Sequence, residues 1–337
     1  MQLGLIIGNG RASNDIALAQ RAEQAGFNSV YVYDFFASNA LARLGAIAAT
    51  TQRIKIGSAI ANTFTRSPMV LAQGAMDIDD IADGRLILGM GTGLEKMNVE
   101  WYGVPYGKPV TRAREVFALL RDVFGHEGFG LRWQGDSWDL HIPAYHRTPG
   151  PRKDIPLWLA AVNRGMIGAA GEIADGMVGH PVHSRKWHRE VTLPLLAQAE
   201  QRAGRAAGAC RVYPQLITCI NADRDLAILD AKRQIGFSFS VEHYHSILDL
   251  HGLREVGQAC RAHLKNYDFE AMAGCIPDEL VEEIAIACTP DEVHDRLAQW
   301  EDLTDEPLFY APAVGVEPER LRANLDAILD SFGTSPR

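Results

Sequence analysis

The stretch from Arg53 to Gly93 limits the possible folds more than any other part of the chain. It alternates an apolar run, a small polar loop, a helical pattern and a second apolar run. The first run, Ile54-Lys55-Ile56-Gly57, ends in Ser58-Ala59, and the second, Arg85-Leu86-Ile87-Leu88-Gly89-Met90, ends in Gly91-Thr92-Gly93. Residues 67–81 between them carry apolar side chains at helical spacing. Two buried strands joined through a helix form a βαβ unit and are parallel neighbours. Both strands then end on the same edge of the sheet, in small Gly-rich loops that let a ligand approach the backbone. The pattern places a binding site at the C-terminal ends of the strands.

The same alternation extends along the chain. Further strands are predicted at 3–7, 29–33, 155–160, 176–178, 211–220 and 307–310. Helices are predicted after the first strand (Ser13 or Asn14 as N-cap, Gly26 as C-cap) and at 40–50, 112–124, 184–207 and 318–332. Residues 131–142, with Trp133, Gly135 and Trp138, read as a short hairpin laid over the body. Residues 223–303 exceed a simple crossover and read as a helical excursion, part of which folds over the strand ends. Eight strands alternating with helices favour an α/β fold of (β/α)8 barrel type, with insertions, over a doubly wound sheet. The expectation is a single domain over 1–337, since no Pro-, Gly- or Ser-rich linker divides the chain and no solenoid period is visible.

Composition narrows the function classes. The chain is 47% hydrophobic and 22% charged, ordinary for a soluble enzyme. A net charge of -9 argues against a nucleic-acid partner and, less strongly, against an anionic membrane surface. No apolar run approaches the roughly 18 residues of a spanning helix. The opening MQLGLIIGNG has no basic segment before its apolar run and reads as a first strand, not a signal peptide. Five cysteines without a C-x-x-C pair fit a reducing cytoplasm with structural thiols. No G-x-S-x-G occurs, which argues against a serine hydrolase. His141, His146, His183 and His188 match no zinc spacing, so no metal site is expected. His243, Tyr244 and His245 in the excursion either line a substrate pocket with Phe237 and Phe239 or pack helices together.

Four segments taken in order, AQRAEQAGFNSVYVYD, TQRIKIGSAIANTFTRSPMVLAQGAMDIDDIADGRLILGMGTG, PLWLAAVNRGMIGAAGEIADGMVGH and CTPDEVHDRLAQW, resemble the bacterial luciferase-like superfamily. The branch they resemble is that of the deazaflavin (coenzyme F420)-dependent oxidoreductases, which includes methylenetetrahydromethanopterin reductase-like proteins. The resemblance implies a (β/α)8 barrel with the cofactor in the mouth of its C-terminal face. It implies a non-prolyl cis peptide at Ala59-Ile60, supporting the deazaflavin ring near Asn62. It also implies a role beside the cofactor or the transferred hydride for Glu95 and Asn98, which follow Gly91-Thr92-Gly93; the alternative is that Glu95 and Lys96 merely start a solvated helix. The loop Ala160-Ala161-Val162-Asn163-Arg164-Gly165-Met166 would hold the cofactor phosphate, because free N–H groups at a helix start bind anions. Gly179 and His180, after the next strand, would border the same phosphate.

The chain departs from this pattern at Tyr33-Asp34-Phe35-Phe36. Many relatives carry Asp-His or His-His there, and phenylalanine cannot move a proton. Asp34 remains as hydrogen-bond acceptor or acid/base, and Phe35 and Phe36 make the substrate side apolar. The leading expectation is hydride transfer between F420 and a small-molecule substrate, with Asp34 and Glu95 as catalytic candidates. The alternatives are an FMN-dependent monooxygenase of the same superfamily and a non-catalytic cofactor-binding barrel. A homodimer is expected from the resemblance and from the apolar faces of 40–50 and 67–81.

Overall fold

A computed structural model of the chain describes residues 1–148 and 150–333. Its strands are β1 (Gly4–Ile6), β2 (Ser29–Val32), β3 (Lys55–Ser58), β4 (Ala61–Asn62), β5 (Leu86–Gly91), β6 (Leu131–Gln134), β7 (Asp139–Ile142), β8 (Leu157–Ala160), β9 (Gly176–Val178), β10 (Arg211–Tyr213), β11 (Gln215–Ile220), β12 (Ile286–Cys288) and β13 (Leu308–Tyr310). The helices that follow the first five barrel strands are α1 (Ala12–Gln24), α2 (Ala40–Thr50), α3 (Pro68–Ile81), α4 (Pro109–Gly125) and α5 (Arg164–Ile173). Then come α6 (Arg185–Trp187), α7 (Leu193–Arg202), α8 (Arg224–Phe239), α9 (His245–His251), α10 (Arg254–Leu264), α11 (Phe269–Gly274), α12 (Asp278–Ile284), α13 (Val293–Ala298) and α14 (Pro318–Phe332).

The strands pair in parallel around the order β1, β2, β3, β5, β8, β9, with Gly4 opposite Ser29, Ser29 opposite Lys55, Ile56 opposite Leu86, Leu88 opposite Leu157 and Trp158 opposite Gly176. A bent strand closes the circuit. Its first half, β10, pairs with β9, and its second half, β11, pairs with β13, which returns to β1. Pro214 stands at the bend because it has no N–H to give to a ladder. Its carbonyl still accepts from Leu308 N at 2.9 Å. The result is the expected (β/α)8 barrel. Side chains fill the inside: Ile6, Tyr31, Ala59, Ile87, Trp158, Val178, Tyr213 and Leu308 form the inner cluster, and Trp158 stacks on Tyr213 at 3.6 Å. Gly89 permits the close approach of β3, since a Cβ there would lie 1.9 Å from Ser58 O.

Helix positions follow from capping and periodicity. Ser67 caps α3 by accepting from Val70 N at 3.3 Å, and Pro68 fits the first turn. Leu71, Ala72, Ala75 and Ile78 then bury one face of α3; each large apolar side chain so buried stabilises by about 1.5–3 kcal/mol. Helices α2 and α14 and the β6–β7 hairpin lie where predicted.

Four expectations need correction. The strand at 211–220 is two strands broken at Pro214. The excursion is not wholly helical, because β12 inside it pairs with β11 (Thr218 opposite Ile286). The N-cap of α1 is Arg11, with Ser13 and Asn14 already in the first turn. The long helix at 184–207 is α6, a π-helical turn over His188–Thr192, and α7, which stops at Arg202.

Candidate active site

The end of β2 is fixed by a saturated carboxylate. Asp34 Oδ1 accepts from Ala40 N at 2.8 Å and from Arg66 Nη2 at 2.9 Å. Asp34 Oδ2 accepts from Asn62 N at 2.9 Å and from Arg66 Nη1. The side chains of Asp34 and Arg66 are only 7% and 13% exposed, so the ion pair is largely shielded from water. Asp34 N also donates to Ile60 O at 2.8 Å, which draws the end of β2 against the end of β3.

The peptide bond between Ala59 and Ile60 is cis. Small residues surround this bulge. A Cβ on Gly91 would meet Ile60 Cγ1 at 3.0 Å and Ala160 Cβ at 3.3 Å, so the ends of β3, β5 and β8 converge there. Asn62 Nδ2 donates to Asn98 Oδ1 at 3.1 Å, and Asn98 Nδ2 donates to Thr92 O at 2.8 Å and Leu94 O at 2.9 Å. Gly93, at φ +60°, leaves room for both amides; a Cβ on it would sit 3.2 Å from each. Asn98 is buried and Glu95 is exposed, so they do not share a face.

The start of α5 forms the other side. Its N-cap, Asn163, makes no capping bond, and the N–H groups of Arg164, Gly165 and Met166 have no acceptor among the described residues. Arg164 and Gly165 are exposed, Met166 is half-buried and Ala161 is buried. Asn163 Nδ2 lies 2.8 Å from His243 Nε2, and Ser246 Oγ donates to Asn163 Oδ1 at 3.3 Å. The excursion therefore does fold over the strand ends. It also lays Tyr244 against His180, with ring centroids 4.1 Å apart, beside Gly179. Burial, then the neighbouring His243, pushes His180 down to about 3. Burial likewise lowers His188 to about 4 and holds His183 well below the ordinary imidazole range. These imidazoles are neutral at physiological pH. Among the described residues no group of three His, Cys, Asp or Glu is placed to hold a metal ion.

The mouth is aromatic. Phe35 packs on Phe36 at 4.6 Å and meets Trp101 edge-on at 5.6 Å, with Phe36 71% and Trp101 46% exposed. Tyr33 and Tyr310 cap the inner cluster. Tyr33 donates to Asn9 Oδ1, and Tyr310 to Gln234 Oε1 at 3.4 Å. Burial raises both phenols, Tyr310 to about 12.

Comparison with known proteins identifies the family. The profile of luciferase-like monooxygenases matches residues 4–306. The chain belongs to the luciferase-like monooxygenase family. It is 26% identical over 306 residues to 5,10-methylenetetrahydromethanopterin reductase of Methanolobus tindarius, covering 90% of this chain and 91% of that one. The structure of the coenzyme F420-dependent tetrahydromethanopterin reductase from Methanopyrus kandleri superposes with a TM-score of 0.84 at 23% identity, covering 98% of this chain and 97% of that one. The oxygenating constituent of 3,6-diketocamphane monooxygenase from Pseudomonas putida, solved with FMN, superposes at 0.69 with 18% identity, covering 99% and 98%. The luciferase-like fold is thus shared by proteins named for either cofactor.

The structure brings Asp34, Asn62 and Asn98 into one network and gathers Ile60, Gly91 and Ala160 beside it. The donor set suits a luciferase-like cofactor: a floor of small residues for a flat ring, then three unpaired N–H groups for a phosphate. The sequence reading missed Arg66. A cation between a strand end and an N-cap was its only signal. It also missed Arg112, which donates from Nη2 to Thr63 O at 3.0 Å. No helix among the described residues is long and apolar enough to cross a membrane.

Proposed function

We propose that this chain moves hydride between a deazaflavin of the F420 type and an organic small molecule. The observation that carries the reading is the pairing, at one end of the barrel, of a small-residue cradle with an uncapped helix start. Ala59, Ile60, Asn62, Asn98 and Ala160 would hold the ring. Ala161, Asn163, Arg164, Gly165 and Met166 would hold the phosphate, bordered by Gly179 and His180. A bound deazaflavin supplies a ring carbon that accepts or releases hydride, while the protein provides position and electrostatics.

The four hydrogen bonds to Asp34 use its acceptor sites, so its role here is positioning, not proton transfer. Glu95 has no hydrogen-bond partner or ion pair among the described residues and keeps the acid/base role at the rim. Tyr33 and Tyr310 stay protonated through burial, but each already gives its one hydroxyl proton to a neighbour, Asn9 Oδ1 and Gln234 Oε1, so they shape the inner wall of the site and do not replace the imidazole of relatives. The aromatic rim of Phe35, Phe36 and Trp101 favours an apolar substrate.

One observation favours the FMN monooxygenase reading: Phe35 leaves the site without the imidazole of the dehydrogenase pattern. Parallel titrations with F420 and FMN, followed by redox turnover with the tighter ligand, decide between them. Binding of FMN alone would replace the F420 reading, and binding without turnover of any substrate would favour a non-catalytic carrier. Arg164→Glu should weaken binding of either cofactor by placing like charge beside the phosphate. We further propose a homodimer through α2 and α3, on the outer face of which α3 leaves Val70 54% and Ile81 52% exposed.

A further inference from the structure

Beside the mouth lies a cavity of about 510 Å³, lined by Phe64, Tyr106, Lys108, Thr111, Arg112 and Asp136 among others. Its wall is rigid. Phe64 and Tyr106 stack at 4.6 Å, and the Arg112 guanidinium lies 3.9 Å over Trp138 and 4.9 Å from Phe64. Two cations, Lys108 and Arg112, line the cavity against the one lining carboxylate, Asp136, in a chain of net charge -9. Lys108 and Arg112 have no ion-pair partner among the described residues. Glu115, one turn beyond Arg112, turns Oε1 to the hairpin, accepting from Ser137 N at 2.8 Å and Trp138 N at 3.2 Å, while its charge still acts on Arg112; Lys108 is left as the less compensated of the two cations. Asp136 is the one carboxylate among the lining residues. The start of α4 adds donors, for its N-cap Lys108 makes no capping bond and the N–H groups of Val110 and Thr111 find no acceptor among the described residues.

The cavity adjoins both halves of the proposed cofactor site. A Cβ on Gly165 would lie 3.8 Å from Val110 Cγ2, so the start of α4 borders the start of α5. Tyr106 donates to Gly93 O at 3.3 Å, and Phe64 N donates to Asn62 Oδ1 at 2.8 Å, which ties the cavity wall to the ring-side loops. A ligand whose phosphate sits at Asn163 to Met166 can therefore continue across the first turn of α4 to Lys108 and Arg112.

We propose that this pocket receives the chain of glutamyl carboxylates that F420 carries beyond its phosphate; the inference rests on the cofactor reading above. FMN ends at its phosphate and leaves the pocket unused. Lys108 meets the carboxylates as a point charge, Arg112 through the guanidinium edge that Thr63 O leaves open, and the free N–H groups of α4 donate to a third carboxylate oxygen. The pocket thereby gives the chain a physical basis for preferring F420 to FMN.

The test is a set of equilibrium titrations on the full chain, read by cofactor fluorescence. The ligands are F420 with several glutamates, the same deazaflavin phosphate without glutamates, and FMN. The glutamylated form should bind about threefold to tenfold more tightly than the unglutamylated one at low salt, and the difference should shrink at high salt. Lys108→Glu should erase the difference while leaving the unglutamylated form's affinity unchanged; Lys108 is exposed, so folding is preserved. Arg112→Lys should reduce the difference, since it keeps the charge and loses the guanidinium edge. Equal affinity for the two deazaflavins overturns the inference and leaves the cofactor reading standing. So does equal weakening of both by Lys108→Glu. Failure of every deazaflavin to bind overturns both. Binding of free oligoglutamate that Lys108→Glu abolishes, with no difference between the deazaflavins, assigns the pocket to another molecule and overturns the tail assignment.

Discussion

Replacing Arg66 by Met tests the node on which the site is built. The substitution removes the cation facing Asp34 and keeps most of the aliphatic bulk. The two side chains are 13% and 7% exposed, so water can replace little of the lost pairing. Removing one partner of a buried pair costs about 3–5 kcal/mol, because the other charge stays in a poor solvent. Asp34 keeps its bonds from Ala40 N and Asn62 N, which with the residual exposure lowers the expected loss to about 2–3 kcal/mol. Unfolding entropy of roughly 2.1 cal/mol/K per residue over 337 residues amounts to about 0.7 kcal/mol/K. The midpoint of thermal unfolding should then fall by about 3–4 °C. Asn62 N donates to the same carboxylate, so cofactor affinity should fall too. Adding Asp34→Asn removes the stranded charge, and the double variant should be less destabilised than the two single losses summed. Circular-dichroism melts of the four proteins and deazaflavin titrations provide the readout. An Arg66→Met midpoint within about 1 °C of the unaltered chain, or strictly additive losses, would refute the argument.

Gly89→Ala should prevent stable folding, because its Cβ would lie 1.9 Å from Ser58 O inside the barrel wall; a soluble variant with an unchanged melt would contradict this. Burial raises the Glu306 carboxyl above its ordinary value, against the pull of bonds from Ser29 and Asn28. Its stabilising contribution is therefore complete below the ordinary value and is lost as pH rises through the folded one, so Glu306→Gln should gain stability relative to the parent as pH rises above the ordinary carboxyl range; a difference in denaturation midpoint that does not change with pH would count against it. Val70→Glu together with Ile81→Glu should convert the proposed dimer to monomer in sedimentation at micromolar concentration without changing the melt of the monomer, and a parent that sediments as a monomer would end that proposal.

The parts of this molecule legible from its residues are those written locally. Ser67-Pro68 before Leu71, Ala72, Ala75 and Ile78 marks one helix and its buried face without reference to anything distant. The small residues at Ser58-Ala59 and Gly91-Thr92-Gly93 mark two strand ends that must lie side by side once the strands are parallel. The strand at Ile286–Cys288 was hidden because three apolar residues between helical patterns look like more helix. The break at Pro214 was readable, since proline cannot serve the middle of a ladder, yet the apolar residues around it masked it. Charge pairing is harder to read. Asp34 and Arg66 stand 32 residues apart in two loops, and no period or spacing joins them. Asp34 alone looks like an available acid; with Arg66, Ala40 and Asn62 around it, it becomes a fixed anchor. The same holds for Lys108 and Arg112, whose meaning depends on a hairpin folded back to put Trp138 and Asp136 beside them. Chain smallness is local and shows where a ligand can approach. Whether a carboxylate is spent or free depends on partners brought in from other loops, and that decides what chemistry the site can perform.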